Sequence, residues 1–508
     1  MTTAQPQVIR LHPADNVIVA LQDLAQGRVV PGVAVPLPQA VPRGHKIATA
    51  AIAAGEHVLR YGQIIGTATQ PIAPGAHVHV HNLGMGEHSH DYAYGAEVRP
   101  LPVPTEARHF MGYHREGGSV GTRNYLGVLT SVNCSGSVAR FIAEAASRPG
   151  WLDAWPNIDG VVPIVHGSGC GMAGRGEGYD TLYRTLRGYA RNPNFAGILL
   201  VGLGCEVMQI PDLIGTGRLR ADGNFRHMTI QQNGGTRRTI ERGLAVLAEM
   251  AAAANQAVRA PAGLEHLMVG LQCGGSDGYS GITANPALGA ASDLLVAHGG
   301  TTILSETSEI YGAEHLLTRR AVTAEVGARI VERIRWWEEY TARNGGEMDN
   351  NPSPGNKRGG LTTILEKSLG AVAKGGTAPL TQVYRFAEPI TERGFVFMDS
   401  PGYDPCSVTG QIASGANLIA FTTGRGSVSG YQPTPCLKLA TNTEMYDHMS
   451  EDMDLNCGDI VTAGVSLADK GREIFEMLLR VASGERTKSE TLGFGGAEFV
   501  PWQMGAVM

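Results

Sequence analysis

The sequence predicts an α/β chain of Rossmann-like, mainly parallel sheet in two αβ parts, preceded by a small, mostly β domain. Three observations carry this. Residues 126–134 (LGVLTSVNC), 161–170 (VVPIVHGSGC), 197–205 (GILLVGLGC) and 267–273 (LMVGLQC) are apolar, often β-branched runs that each stop at a thiol. Such runs, bounded by Gly or Ser, read as buried parallel strands. Helix-like sequence follows three of them, at 137–146, 179–190 and 285–298, whereas the opening residues hold short β-rich runs separated by turns.

At 508 residues the chain exceeds what one core supports. The boundaries read as a β domain over 1–90, a Pro-rich linker over 91–108, a first αβ part over 109–260 and a second over 261–508. A net charge of -6 leaves no basic footprint for nucleic acid. The start, MTTAQPQVIRLHP, lacks the basic and apolar blocks of a signal peptide, and no window is apolar enough to span a membrane. The expected location is cytoplasmic. Seven Cys without close pairing do not form a disulfide framework, so thiols stay available.

In chain order, 16–21 (NVIVAL) and 75–81 (GAHVHVH) read as strands of the opening domain. Four prolines in 31–42 exclude helix there, and RGHKIAT follows at 43–49. Pro100, Pro102 and Pro104 give the linker an extended path. Apolar faces of period 3.6 predict helices over 240–254 and 323–340, strands follow at 394–399 and 417–422, and a last helix at 472–483 stops at Gly484.

Four places carry chemistry. His77, His79 and His81 alternate along a predicted strand and so share one face, where imidazoles bind metal or move protons, and His45 could join them; a polar strand edge facing water has the same pattern. The loop HGSGCGMAG at 166–174 spaces Gly169, Gly171 and Gly174 like a dinucleotide fingerprint, although its expected ribose acid, Glu206, sits just past Cys205. The small residues of 272–278 (QCGGSDG) suggest an anion nest at the head of a helix. Lys357 and Arg425 each stand among turn residues and suit a carboxylate, as exposed loop charges also would. A P-loop, a Gly-x-Ser-x-Gly elbow and His-Glu-x-x-His are absent from the sequence.

The motifs GTRN (121–124), SVNC (131–134), HGSGC (166–170), GLGCE (202–206), QCGGSD (272–277), ITANP (282–286), NPSPGNK (351–357) and TGRG (423–426) together resemble the altronate and galactarate dehydratases. GHK at 44–46 and HVHVHN at 77–82 resemble the small SAF domain of full-length members. The resemblance implies a hydro-lyase that converts a sugar acid, altronate first and galactarate or a related acid next, into a 2-keto-3-deoxy acid. It implies a divalent metal, Fe2+ with Mn2+ as the substitute, on His77 and His79. Cys134, Cys170, Cys205 and Cys273 are alternative ligands for iron or for an iron–sulfur cluster. His45, Lys46, His166 and Lys357 become the catalytic candidates, and Gly274, Gly275, Ser276, Asp277, Asn356 and Arg425 the substrate-binding ones. A sugar acid is the expected partner, with a homodimer as the assembly. Removing a proton beside a carboxylate builds an enediolate, which needs a metal or fixed donors, a base at C2 and an acid at the C3 hydroxyl. Two other readings use the same residues: an NAD-linked sugar-acid oxidoreductase, and a non-catalytic sugar-acid binding protein.

Overall fold

In the computed structural model, which describes residues 6–86, 91–215, 219–220 and 223–505, two parallel sheets stand behind a small β domain. The expected end of that domain, at residue 90, lies outside the described residues. Its larger sheet runs antiparallel through Val8–Ile9, Val17–Ala20, Lys46–Ala48 and His77–Val78. The strand expected over 75–81 is therefore two residues long. His79 lies in a bend and His81 in a turn, so period-two alternation does not place the imidazoles. Residues 91–108 hold neither helix nor strand, and Gly95 N and Glu97 N donate to the carbonyls of Thr318 and Arg319.

The first αβ part has four parallel strands in the spatial order Gly160–Ile164, Tyr125–Thr130, Phe195–Gly202, Phe225–Thr229. Alternate residues of the central strand serve opposite faces, as strand pleating requires. Leu126 and Val128 pack under helices Gly136–Ala146 and Thr236–Ala254, and Tyr125 and Leu129 under Glu177–Arg191. An antiparallel trio, Ala260–Gly263, His109–His114 and Val120–Gly121, joins the start and end of this part.

The second αβ part is a seven-stranded parallel sheet in the order Leu380–Tyr384, Gly394–Met398, Thr301–Leu304, Met268–Cys273, Leu418–Thr423, Cys436–Ala440, Leu455–Asn456. Helices Ala284–Ala297 and Leu467–Ala482 cover one face. Asp404–Ser414 covers the other and meets Glu177–Arg191 so closely that a Cβ on Gly188 would collide with the Ala413 carbonyl. One apolar core thus runs from sheet to sheet. The patternless tail closes it: Phe499 packs on Tyr189, ring centroids 4.5 Å apart, and Trp502 stacks on Trp337 at 5.3 Å.

Candidate active site

The loop that follows strand Met268–Cys273 and the segment 358–366 receive the small domain. Backbone meets backbone there: a Cβ on Gly278 or on Gly360 would strike the Gly44 carbonyl. Tyr279 Oη donates to Leu21 O at 2.8 Å, and Thr363 Oγ1 to Ile65 O at 2.5 Å. Under this contact lies a buried ion triad. Lys46 Nζ is 2.8 Å from Glu366 Oε2 and donates to Gly360 O at 2.7 Å, while Arg60 reaches Glu366 Oε1 at 2.5 Å and Gly278 O at 2.7 Å. Burial alone would raise the Glu366 carboxyl, but the Lys46 and Arg60 cations outweigh it and hold it at about 2. Lys46 is itself drawn down to about 8 by burial against the pull of Glu366. We take the carboxylate as the governing partner, because two cations and the Thr362 amide and hydroxyl all stabilise its charge.

Beside the triad the imidazoles converge. One nitrogen each of His45, His77 and His79 lies within 4.8 Å of the others, and His45 Nδ1 is 2.9 Å from His77 Nε2. The His45 Nε2 faces the Arg358 carbonyl at 3.2 Å. A carbonyl accepts only, so Nε2 carries the proton and Nδ1 turns its lone pair to the centre, as the outer partner of a metal-bound imidazole does. His79 Nδ1 is buried without a hydrogen-bond partner. Burial, the neighbouring imidazoles and Lys46 hold the His77 ring at about 4 and the His79 ring at about 3, so both are neutral at pH 7. An orphaned nitrogen, an oriented lone pair and neutral rings fit a divalent transition metal. His81 is exposed, its ring 5.6 Å from that of His77.

The glycine loop is tied into the protein at several points. Three of its amides donate within the protein: Gly274 N to Thr422 O, Asp277 N to Ser280 Oγ and Gly278 N to Gly359 O. At Gly274 the missing side chain admits neighbouring protein, since a Cβ there would strike Asp404. Gly275 O accepts from Arg425 N at 2.9 Å, and Ser276 O from Asn356 Nδ2 at 2.8 Å. The buried Asp277 carboxylate accepts from Thr441, Asn442, Ser280 and the Tyr279 amide, and so ties loops together. Arg425 is exposed at the loop mouth and Lys357 half-buried beside Arg358.

His166 lies in the other αβ part, with Nε2 on Thr130 O at 3.1 Å and Nδ1 accepting from Ser168 N at 3.2 Å; burial keeps it at about 4. Its loop does not carry a dinucleotide fingerprint's features. Gly169, at φ +97°, is required because a Cβ would strike the Ser131 carbonyl, and Glu206 is buried, accepting from Ser131 Oγ and Gly204 N at 2.6 Å each.

The four thiols do not form one set. Cys134, Cys170 and Cys205 follow strands of the four-stranded sheet and are exposed, whereas Cys273 ends a strand of the other sheet and is buried. Lys374 Nζ lies 2.7 Å from Cys273 Sγ, and burial pushes this thiol to about 12. Around it stand carboxylates that sequence reasoning missed. Glu306 Oε2 and Glu309 Oε2 are 3.8 and 3.7 Å from the sulfur, Lys367 holds Glu309 at 2.6 Å, and Asn351 donates to it at 2.7 Å. Glu306, at φ +69°, leaves Oε1 buried without a partner, and burial beside Glu309 raises it well above the usual carboxylate range. Burial and Glu309 likewise bring Asp404 to about 6. The signal was the Glu306/Glu309 pair just past strand Thr301–Leu304, with Lys367 and Lys374 seven apart.

Family models for the altronate/galactarate dehydratase SAF domain, the D-galactarate dehydratase/altronate hydrolase second domain and the D-galactarate/altronate dehydratase C-terminal domain match residues 6–86, 112–255 and 264–507. The chain belongs to the altronate/galactarate dehydratase family. It is 37% identical to galactarate dehydratase (L-threo-forming) of Escherichia coli over 94% of this chain and 93% of that protein. To altronate dehydratase of Bacillus subtilis it is 35% identical, over 96% of this chain and 97% of that one. Membership makes it an enzyme of the carbon–oxygen lyase class, a hydro-lyase. The chain is also 33% identical to a (2R)-sulfolactate sulfo-lyase subunit beta of Chromohalobacter salexigens, over 76% of this chain and 96% of that one. Among the described residues no helix is long and apolar enough to cross a membrane.

Proposed function

We propose that the protein dehydrates altronate to a 2-keto-3-deoxy acid, using a divalent metal, Fe2+ in the first place, held by His45, His77 and His79. The convergence of these three neutral imidazoles against the sheet-edge loops carries the reading. Their sequence pattern resembles the altronate branch, and two relatives at 35% identity are named altronate dehydratases. Galactarate is the second reading, supported by the relative at 37%.

A metal there supplies Lewis-acid polarisation of the substrate carboxylate and hydroxyl. The chain's own groups do the rest. Arg425 grips the carboxylate by a two-point contact, which fixes the C2–C3 bond relative to the imidazoles. Lys357 sets a positive charge beside the enediolate as the C2 proton passes to water, and it gives a proton to the C3 hydroxyl, which leaves as water while solvent reprotonates the amine. The Arg358 carbonyl keeps the His45 lone pair aimed inward.

The test is to incubate oxygen-free protein with each acid, without nicotinamide, and follow 2-keto-3-deoxy acid. Product from altronate, lost with EDTA and restored by Fe2+, is expected. A requirement for NAD, or no product from either acid, would defeat the proposal.

A further inference from the structure

The geometry points to a second metal site: an iron–sulfur cluster held by Cys134, Cys170 and Cys205 at the edge of the four-stranded sheet, separate from the imidazoles. The three thiols follow three adjacent parallel strands, Tyr125–Thr130, Gly160–Ile164 and Phe195–Gly202. All three are free and exposed. The loops bearing them are sewn to one another. Asn133 N donates to Ser168 O at 2.9 Å, tying the Cys134 turn to the Cys170 loop. Val207 N and Met208 N both donate to Gly169 O, at 3.0 and 3.1 Å, tying the Cys205 loop to the same strip. Glu206 binds Ser131 across the remaining side. Gly169, next to Cys170, lies against Ser131 and Val132 in a gap that a Cβ would fill. Backbone from all three loops therefore meets within a residue or two of each sulfur.

Single-ion binding does not suit the site. A tetrahedral ion at thiolate bond lengths of about 2.3 Å brings its sulfurs within roughly 4.6 Å of one another. Among the described residues these thiols do not form a group of ligand atoms within 4.8 Å. A cubane carries its irons at separate corners and takes more widely spaced thiolates. Three thiolates leave one iron without a protein ligand, open to a substrate oxygen. Gln231 Nε2 points a donor at Cys205 Sγ from 3.5 Å, the kind of hydrogen bond that tunes a cluster sulfur. Each thiol releases its proton to solvent on ligation. Cys273 is excluded by its burial and by Lys374.

The test uses full-length protein purified without oxygen. Acid-labile sulfide at roughly four per chain, with a broad visible charge-transfer absorption, is expected. It should fall to background in Cys134→Ser, Cys170→Ser and Cys205→Ser, and persist in Cys273→Ser and His77→Ala. Wild-type protein gives an independent reading that needs no variant: the three thiols resist alkylation together as purified and react together after iron is chelated. Iron without sulfide, sulfide retained in any of the three variants, or alkylation of the thiols in iron-replete protein would overturn the inference. Because sulfide is read rather than turnover, failure of the cluster leaves the imidazole reading standing, and the reverse holds.

Discussion

Glu366 Oε2 lies 2.8 Å from Lys46 Nζ, and neither side chain touches solvent although 320 residues separate them. Both cations on Glu366 come from the small domain and the carboxylate from the second αβ part. Glu366→Gln leaves two buried cations without a counter-charge, and should cost on the order of 3–5 kcal/mol. Breaking the exposed Asp469–Arg472 pair by Arg472→Ala should cost less than about 1 kcal/mol. Urea unfolding of both variants checks the contrast; equal losses would refute it.

The same carboxylate sets an acid limit. Its folded value is about 2 against an ordinary 4.5, so between these the unfolded chain binds more protons and stability rises with pH. The contribution is complete above about pH 4.5 and fades as pH falls toward about 2. Stability of the wild type should decline through that window, and Glu366→Gln should decline less steeply. Parallel curves would count against the ion triad.

His45→Ala, His77→Ala and His79→Ala should each lower turnover by at least ~10²-fold and reduce bound iron. His81→Ala, at an exposed turn, should retain its iron. Normal rates in all three would return the histidines to a solvated edge.

A methyl group at Gly278 meets the Gly44 carbonyl. Gly278→Ala should therefore loosen the docked domain, at a cost of roughly 1–3 kcal/mol. Limited proteolysis between residues 91 and 108 should then release the small domain and abolish turnover. An intact, active variant would mean that the contact has room to yield.

Glu306 and Glu309 should answer differently to the same change. Burial beside Glu309 raises Glu306, and its tie to Lys374 is the looser one, with Nζ 3.7 Å from Oε2, so Glu306→Gln should cost the smaller amount, on the order of 1 kcal/mol. Glu309 is held ionised by Lys367, and Glu309→Gln strands that ammonium, with an expected loss on the order of 3–5 kcal/mol. Chemical denaturation of the two variants decides; a reversed order would mean that the Lys374–Glu306 contact outweighs the Lys367–Glu309 pair.

The strands were legible because a sheet covered on both faces needs unbroken apolar runs, as 197–202 shows. Helices were legible from their period, and the one expected over 323–340 runs as Ala324–Arg343 with Thr323 as its cap. Long-range pairing was not. Lys46 and Glu366, or Cys273 and Lys374, meet only through the fold, and no local pattern marks a partner a hundred or more residues away. The QCGGSDG loop shows a subtler gap. Its glycines do mark close approach, but sequence does not name the neighbour, which at Gly274 is Asp404 and at Gly278 is Gly44. The histidines were legible by type while their geometry was not, because a bend at His79 does what a strand was expected to do.

The small domain is held by the ion triad, by Tyr279 on Leu21 and by Thr363 on Ile65, while residues 91–108 supply neither helix nor strand. Covalent continuity between the domain and the sheets therefore acts mainly by keeping two complementary surfaces at high effective concentration. A chain nicked in that strip would be a two-piece enzyme assembled by its own interface. The imidazoles would then be a cofactor-like cargo delivered to the sheet edge by a separate polypeptide.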